Sequence, residues 1–423
     1  MRLLLVGINY SPEETGIGPY TAGLAEGLTS RGHSVVAITG LPSYPQWRVY
    51  DGYRRLPWKR EYMNGVEVRR RWHYVPETQS AVRRGLYEGT FLLTGLSALA
   101  LPRPDLLLGV IPSLSGGLLV RLAALRFGVP YGLIFQDLMG QAAKQSGVSG
   151  GGQVARGVRA AEGWVARGAA ATGIIAEGFR PYLESLGVPP SRILRVRNWA
   201  HSEAPAMDGS TVRARLGLPQ DAFVCLHAGN MGHKQGLENV LECARTANGF
   251  CRRLLFLLMG DGNQRSHLED LAKRHAIPNL RFLPIQPPDV FQSILAAADI
   301  LLVNQRGAVS DMSLPSKLTS YFAAGRPIIA AVQRASETAR EIEASGGGLV
   351  VPPDEPRVLL EAVQRLSNEE GWRLQMGESA RAWSMAKLSK AAALDGYEQL
   401  LATVLAHGKP INTPPRIPEE VEA

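Results

Sequence analysis

Short, β-rich apolar runs recur along this chain with helical periodicity between them. That alternation leaves room for little except parallel strands joined by crossover helices. The runs expected as strands are Arg2 to Tyr10, Ser34 to Thr39, Val66 to Trp72, Asp105 to Ile111, Tyr131 to Gln136, Gly173 to Ala176 and Ile193 to Val196. Helices are expected between them, notably Tyr20 to Arg31 and Ser115 to Phe127. A polar stretch, His201 to Ser210, interrupts the pattern. It restarts with Phe223 to His227, Leu254 to Met259, Leu280 to Leu283, Ile300 to Val303, Ile328 to Ala331 and Gly348 to Val351. The expected fold class is therefore α/β, with two doubly wound, Rossmann-like domains over residues 1–200 and 201–407. Late helices near Arg357 to Leu366 and Lys390 to Leu405 close the second, and one of them is free to pack back on the first. Residues 408–423, rich in Pro and Glu, carry no periodicity and are expected to be a disordered tail. Ligands of open α/β sheets bind beyond the carboxyl ends of the strands, so two such sheets facing across a cleft would gather the motifs there.

A length of 423 residues suits two large domains, and 45% hydrophobic with 20% charged residues is an ordinary globular balance. Cys225, Cys243 and Cys251 are too few for a disulfide framework and have no zinc spacing, which points to a reducing cytoplasm. The first residues run straight into a strand-like pattern rather than a secretory leader. The longest apolar run, near Thr90 to Leu101, falls short of the roughly 20 residues of a spanning helix. The expectation is a cytoplasmic protein, peripheral at most on the inner face of the cell membrane.

The net charge of +8 is unevenly spread, at +10 up to Ala200 and −2 beyond it. Arg54, Arg55, Lys59, Arg60, Arg69, Arg70, Arg71, Arg83 and Arg84 carry much of the excess, interleaved with Trp58, Tyr62, Trp72 and Tyr87. Such a patch fits an anionic lipid surface, a pyrophosphate-linked acceptor or nucleic acid, and equally a plain solvated face.

Two glycine-containing loops stand at expected strand ends. After the first strand, Gly16 and Gly18 lead into a helix, where backbone N–H groups meet an anion or simply make a tight turn. The full dinucleotide fingerprint is missing, which disfavours a dehydrogenase. In the second half, Phe223 to His227 runs into Ala228-Gly229-Asn230-Met231-Gly232-His233-Lys234-Gln235-Gly236, so backbone donors and the Lys234 ammonium can converge on a diphosphate. A surface turn with an incidental lysine is the plainer alternative. Gly260-Asp261-Gly262 reads as a turn after a buried strand. Pro315 and Ser316 suit a helix start, which presents the N–H groups of Ser316, Lys317 and Leu318 to phosphate oxygens, and Gly325 ends that helix. Asp137 follows a strand expected to be fully buried; it either handles a proton or sugar hydroxyl or caps a helix. Asn198-Trp199 closes the last strand of the first half. No Asp-x-Asp pair, His-Glu-x-x-His helix or Gly-x-Ser-x-Gly elbow appears, so no metal is assigned and lysines with helix N-termini are left to neutralise a leaving group.

Taken together these residues resemble the family 4 retaining glycosyltransferases of the GT-B fold over nearly the whole chain. The resemblance rests on Gly16-x-Gly18-x-Tyr20 with Gly32-His33-x-Val35, on Gly229 to Gly236, and on Ala324-Gly325-Arg326-Pro327-Ile328. Gln136-Asp137, Asn198-Trp199, the Lys234 loop and Pro315-Ser316-Lys317-Leu318 are similar to the branch of colanic-acid and O-antigen transferases, which includes L-fucosamine transferases. It implies transfer from a nucleotide-diphosphate sugar, UDP-linked, to a polysaccharide precursor or glycolipid acceptor, without a metal cofactor and without nucleic acid. By resemblance Lys234 serves the departing diphosphate and Asp137 the sugar or acceptor hydroxyls. Gly16, Gly18, Gly229, Asn230, Gly232, Gly260, Ser316, Lys317, Leu318 and Ser320 form the donor site. Most of the family has two glutamates eight positions apart in the last motif; Met312 and Ser320 stand there, leaving Ser320 to offer one weaker bond to the ribose. A nucleotide-sugar 2-epimerase and a catalytically silent partner subunit are the alternatives.

Overall fold

The computed structural model describes residues 1–54, 56–78, 80–138, 152–200, 205–247, 254–308 and 316–408. The chain divides into two compact units, Met1–Arg197 with Leu394–Ala423, and Asn198–Ala393. The sheet of the first holds β1 (Arg2–Val6), β2 (Ser34–Gly40), β3 (Trp58–Met63), β4 (Val66–Arg71), β5 (Leu106–Ile111), β6 (Tyr131–Phe135), β7 (Ala171–Ile174) and β8 (Ile193–Arg195). Their order is β3-β4-β2-β1-β5-β6-β7-β8, parallel except for the antiparallel edge pair β3/β4. The second sheet holds β9 (Phe223–Ala228), β10 (Leu254–Met259), β11 (Leu280–Leu283), β12 (Ile300–Asn304), β13 (Ile328–Ala331) and β14 (Gly348–Val351). It is wholly parallel in the order β11-β10-β9-β12-β13-β14. Both are doubly wound α/β sheets, with strand order turning at β1/β5 and at β9/β12.

The strands fold this way because they read as continuous apolar runs: β5, β6, β10, β12 and β13 are buried at every residue. Polar side chains are pushed to the strand ends. β1 is shorter than the sequence suggested, because Asn9 and Tyr10 leave the ladder for a turn in which Asn9 Nδ2 donates to Glu13 Oε2 at 2.9 Å. The strand Trp58–Met63 and the helix Glu370–Lys387 were not anticipated.

The first boundary falls after Arg197, close to the expected residue 200, and the second falls inside the helix Lys390–His407 rather than at residue 407. From Leu394 onward that helix belongs to the first unit. A methyl group at Gly27 or Gly132 would collide with Leu394 or Val404, and one at Gly173 would clash with Val196 and crowd Leu400, so bare glycines make the seat for it. Arg31 pairs with Asp395 at 2.7 Å and His33 with Glu398 at 3.0 Å.

The basic run is not the open patch that its sequence suggested. Pairing of β3 with β4 sets two glutamates among the arginines: Glu61 takes Lys59 at 2.8 Å and Arg70, while Glu67 takes Arg60 at 2.9 Å and Arg69 at 2.6 Å. Arg54 meets Asp51 and Arg84 meets Glu88, each at 3.0 Å. Arg70 is fully buried, and its Nη2 also donates to the Ser11 carbonyl at 2.5 Å. Arg55 lies outside the described residues.

Removing one member of a buried pair strands the other. Arg70→Met is therefore expected to destabilise the first unit by about 3 kcal/mol. Urea denaturation of the full chain reads this, and an unchanged midpoint would show that Lys59 alone satisfies Glu61.

Candidate active site

The second sheet turns its strand order between β9 and β12, and the loops that leave these two strands build one small polar structure. Gly229 (φ +126°) and Gly260 (φ +142°) end β9 and β10 in backbone conformations open to glycine. They nearly touch: a methyl group on Gly260 would sit 1.9 Å from the Gly229 carbonyl oxygen. Gly229 N–H donates to the Met259 carbonyl at 2.8 Å and Met231 N–H to the Asp261 carbonyl at 2.8 Å. One at Gly262 would come within 2.5 Å of Asn230 Oδ1. Asn230 itself is exposed at the tip.

The chain then makes one helical turn, His233–Gln235, closed by Gly236 in the left-handed region. Gly232 N–H donates to Gln235 Oε1 at 3.0 Å. The Lys234 side chain is exposed, while its carbonyl accepts from Arg306 N–H at 3.0 Å. Asn304, at the end of β12, gives its amide to the carbonyls of Gln235 and Gly236 at 2.7 and 2.8 Å and accepts from Asn239 Nδ2 at 2.8 Å. Arg306 adds Nε to the His233 carbonyl and Nη2 to Glu238, each 2.8 Å. Sequence reasoning passed over Asn304, Arg306 and Asn239. The available signal was one polar residue, Asn304, ending an otherwise unbroken apolar run.

Lys317 comes to the same turn from the helix Ser316–Ala324. Its Nζ lies 3.3 Å from His227 Nε2 and would lie 3.3 Å from a Cβ on Gly229. Burial pushes the Lys317 ammonium down to about 8. His227 is completely buried, and desolvation followed by the neighbouring Lys317 charge holds it far below the usual imidazole range. The helix also delivers Tyr321, whose hydroxyl accepts from Ala228 N–H at 2.7 Å and fixes the last residue of β9. The structure thus gathers Gly229, Asn230, Gly232, Lys234, Gly260 and Lys317 around one turn. Leu318 has its side chain in the hydrophobic core, so its backbone N–H, the group assigned to phosphate, is what it has to offer a ligand. Ser320 is half-buried a turn further along. Pro315 and Met312 lie outside the described residues, as does the side chain of Ser316, which opens the helix.

In the first unit, Gly16 (φ +74°) packs against Tyr44, and Gly18 opens the helix Gly18–Ser30, whose N-terminus has no side-chain cap. The loop is held by Glu13, a buried carboxylate the sequence reading overlooked. Its Oε1 accepts from Ser43 and Tyr44 N–H at 2.9 and 3.0 Å, and desolvation nonetheless raises it above the ordinary glutamate range. Asp137 is exposed just after β6, with Oδ1 accepting from Leu138 N–H at 2.8 Å. Among the described residues no three His, Cys, Asp or Glu side chains gather as a metal site would require.

The Lys317 charge sets a pH dependence. The lysine is cationic below about 8 and neutral above it. An anion at the turn draws the proton back, so its binding takes up a proton and weakens as pH rises. Affinity for inorganic pyrophosphate should fall several-fold between pH 7 and 9 in calorimetry, beyond the fall in a Lys317→Met variant; equal falls would remove Lys317 from the site.

Two family models divide the chain between them: a glycosyl transferase 4-like domain over residues 15–199 and the glycosyl transferases group 1 over residues 209–383. The chain is 32% identical over 376 residues to WcaI of Escherichia coli strain K12, named as a colanic acid biosynthesis glycosyl transferase, covering 86% of this chain and 92% of that one. It is 30% identical over 142 residues to WbjE of Pseudomonas aeruginosa, named as a glycosyltransferase, covering 33% and 34% of the two chains. Among solved structures, sucrose-phosphate synthase of Thermosynechococcus elongatus matches with a TM-score of 0.68 at 17% identity, over 96% of this chain and 99% of that one. Anabaena HepE, solved with UDP-glucose, matches with a TM-score of 0.64 at 14% identity, over 95% and 100%. These relatives lend nothing to the epimerase alternative. With both halves accounted for by these models and a relative matched along nearly its full length, the chain belongs to the group 1 glycosyltransferases, enzymes of the GT-B fold that move a sugar from a nucleotide-sugar donor.

Proposed function

We propose that this enzyme transfers a glycosyl unit, with retention, from a UDP-linked sugar to a lipid-linked or saccharide acceptor of polysaccharide synthesis. The observation that carries the reading is the turn at the β9/β12 switch, where Lys234 is exposed and the Lys317 ammonium stands beside the Gly229 backbone. Two cations and the leading N–H groups of the helix Ser316–Ala324 suit a diphosphate better than any other common anion. The colanic acid relative and the UDP-glucose complex of HepE support the substrate classes.

In this reading Lys234 meets charge that develops on the departing diphosphate. Gly229, Asn230, Gly232 and Gly260 leave room for its oxygens, with Ser316, Lys317 and the Leu318 N–H facing the phosphates and sugar, and Ser320 taking one ribose hydroxyl. Gly16 and Gly18 give the donor access, and Asp137 holds sugar or acceptor hydroxyls. The acceptor oxygen bonds to the anomeric carbon on the face from which the diphosphate leaves, and the acceptor's proton passes to a diphosphate oxygen. Such a step relies on positioning and charge stabilisation rather than on a strong protein base. The positive groups take the place of a divalent cation.

Lys234→Ala should lower turnover at saturating donor by about 2 to 4 kcal/mol of transition-state stabilisation, with the melting temperature unchanged. Wild-type turnover should persist in EDTA. Near-normal turnover of the variant would remove Lys234 from this role, and loss in EDTA reversed by magnesium would return a metal to the diphosphate site.

The acceptor class calls for work at the cytoplasmic face of a membrane, though no helix among the described residues is long and apolar enough to cross one. The surface that supports peripheral docking is the helix Ala81–Gly95 rather than the paired arginines. Val82 (75% exposed), Leu86 (50%) and Leu93 (67%) share one face of it, beside the exposed Trp72 and Arg83. An apolar stripe flanked by cations fits the interfacial zone of a bilayer. The full chain should co-sediment with phosphatidylglycerol vesicles more than with neutral ones, less so at high salt. The double variant Leu86→Ser, Leu93→Ser should lose most of that binding; undiminished binding would clear this helix of the role.

A further inference from the structure

We propose that His227 is a positioning residue for Lys317: a neutral imidazole beneath the diphosphate turn that accepts a hydrogen bond from the lysine and aims its ammonium at the Gly229 backbone. The inference rests on the donor-diphosphate reading of this turn and adds to it a residue that no motif marks.

Three observations carry it. His227 is the penultimate residue of β9, in a strand otherwise composed of Phe, Val, Cys, Leu and Ala. A histidine that only filled core volume there would strand two ring nitrogens where an apolar residue would serve. Its Nε2 instead lies 3.3 Å from Lys317 Nζ, and the same Nζ stands beside Gly229, the residue at which the turn begins. An ammonium has donors only, so in the contact with Nζ it is Nε2 that accepts, which leaves the ring proton on Nδ1, a buried nitrogen that makes no hydrogen bond of its own. The groups facing the ring pull in opposite directions: the Leu302 and Asn230 carbonyls favour a protonated ring, burial and the Lys317 charge a neutral one, and the latter prevail. Lys317 approaches from the helix Ser316–Ala324, the Leu302 carbonyl from β12 and the Asn230 carbonyl, 3.4 Å from Nε2, from the turn. Lys317 is the charged group among them, and burial together with that charge keeps the imidazole unprotonated.

The chemistry accounts for a departure of this chain. Met312 and Ser320 stand where a pair of glutamates would otherwise organise the donor end of this helix. Lys317, one residue into the helix, brings a cation to the diphosphate instead. A lysine on four rotatable carbons is a poor fixed charge unless something holds it. His227 holds it without neutralising it, which a carboxylate in the same place would do.

The test is a double-mutant cycle on the full chain with UDP and GDP as calorimetric probes. Lys317→Met should weaken the bound nucleotide at least tenfold. His227→Phe should weaken it about fivefold in the wild-type background and not at all in the Lys317→Met background, while His227→Gln, which keeps an acceptor at that reach, should stay within twofold of wild type. With sugar donor, His227→Phe should raise KM more than it lowers kcat. If His227→Phe fails to fold, His227→Asn, too short to reach Nζ, replaces it in the cycle. Equal losses from the His227 change in both backgrounds would make the histidine merely structural and overturn the proposal. So would unaltered binding by Lys317→Met when Lys234→Ala does weaken it, and that result would leave the diphosphate reading standing. No binding of either nucleotide to the wild type would overturn both.

Discussion

The near-contact of two backbones, at Gly229 and Gly260, is the constraint from which the rest of the second unit's polar architecture follows. With 1.9 Å between a hypothetical methyl on Gly260 and the Gly229 carbonyl oxygen, Gly260 cannot carry a side chain, and a φ of +126° holds Gly229 to glycine as well. The space above them stays open, and the chain must turn away at once. Everything that makes the opening useful then has to reach it from elsewhere: Asn304 and Arg306 from the next strand's exit, Lys317 and Tyr321 from one helix. These four side chains come from segments some seventy to ninety residues downstream of the turn, and the parallel order β10-β9-β12 is what brings them there. Sheet topology and site are one problem in this unit.

Charge in the two units obeys different rules. In the first, the sequence is crowded with arginine, but the β3/β4 hairpin interleaves Glu61 and Glu67 so that much of the positive charge is consumed by pairs. Exposed pairs of this kind contribute little to stability; the Arg70 pair is the exception because the arginine is fully buried and loses its carboxylate if Glu61 is removed. In the second unit Lys234 stays exposed and Lys317 is paired with a base and not an acid. Cations left without an acidic partner at one turn are an arrangement that answers to an anion rather than to the fold.

Much of this was legible in the residues themselves. Parallel strands buried on both sides must be written as apolar runs, and Leu254–Met259 and Ile328–Ala331 were located to the residue for that reason; the edge strands Leu280–Leu283 and Gly348–Val351 were located as well, though they are only partly buried. Glycines were legible where a backbone needs a positive φ, as at Gly16, Gly229 and Gly236. Less was visible where the meaning of a residue depends on its spatial neighbour. The edge strand Trp58–Met63 alternates exposed and half-buried positions in a run of charges and aromatics, which resembles a solvated surface until β4 is laid against it. Arg70 looks like its neighbours Arg69 and Arg71 in one dimension and differs from both in three. His227 and Asn304 each end an apolar run, and only their partners from another segment distinguish them from strand termini of no consequence.

The helix that returns to the first unit from Leu394 has a consequence for how this protein is made. The first sheet is complete in sequence by Arg195, yet Gly27, Gly132 and Gly173 remain bare until a helix nearly two hundred residues later covers them. In vectorial synthesis from the amino terminus, the first unit therefore emerges with an unfinished surface and waits while the whole of the second is translated. The second unit is an insertion within the first, with both of its ends anchored. A ribosome that stalls before Leu394 would release a first unit missing its last covering helix and a second unit whose sheet is whole. Quality control that senses exposed apolar surface would thus read the integrity of the last helix from the state of the first domain.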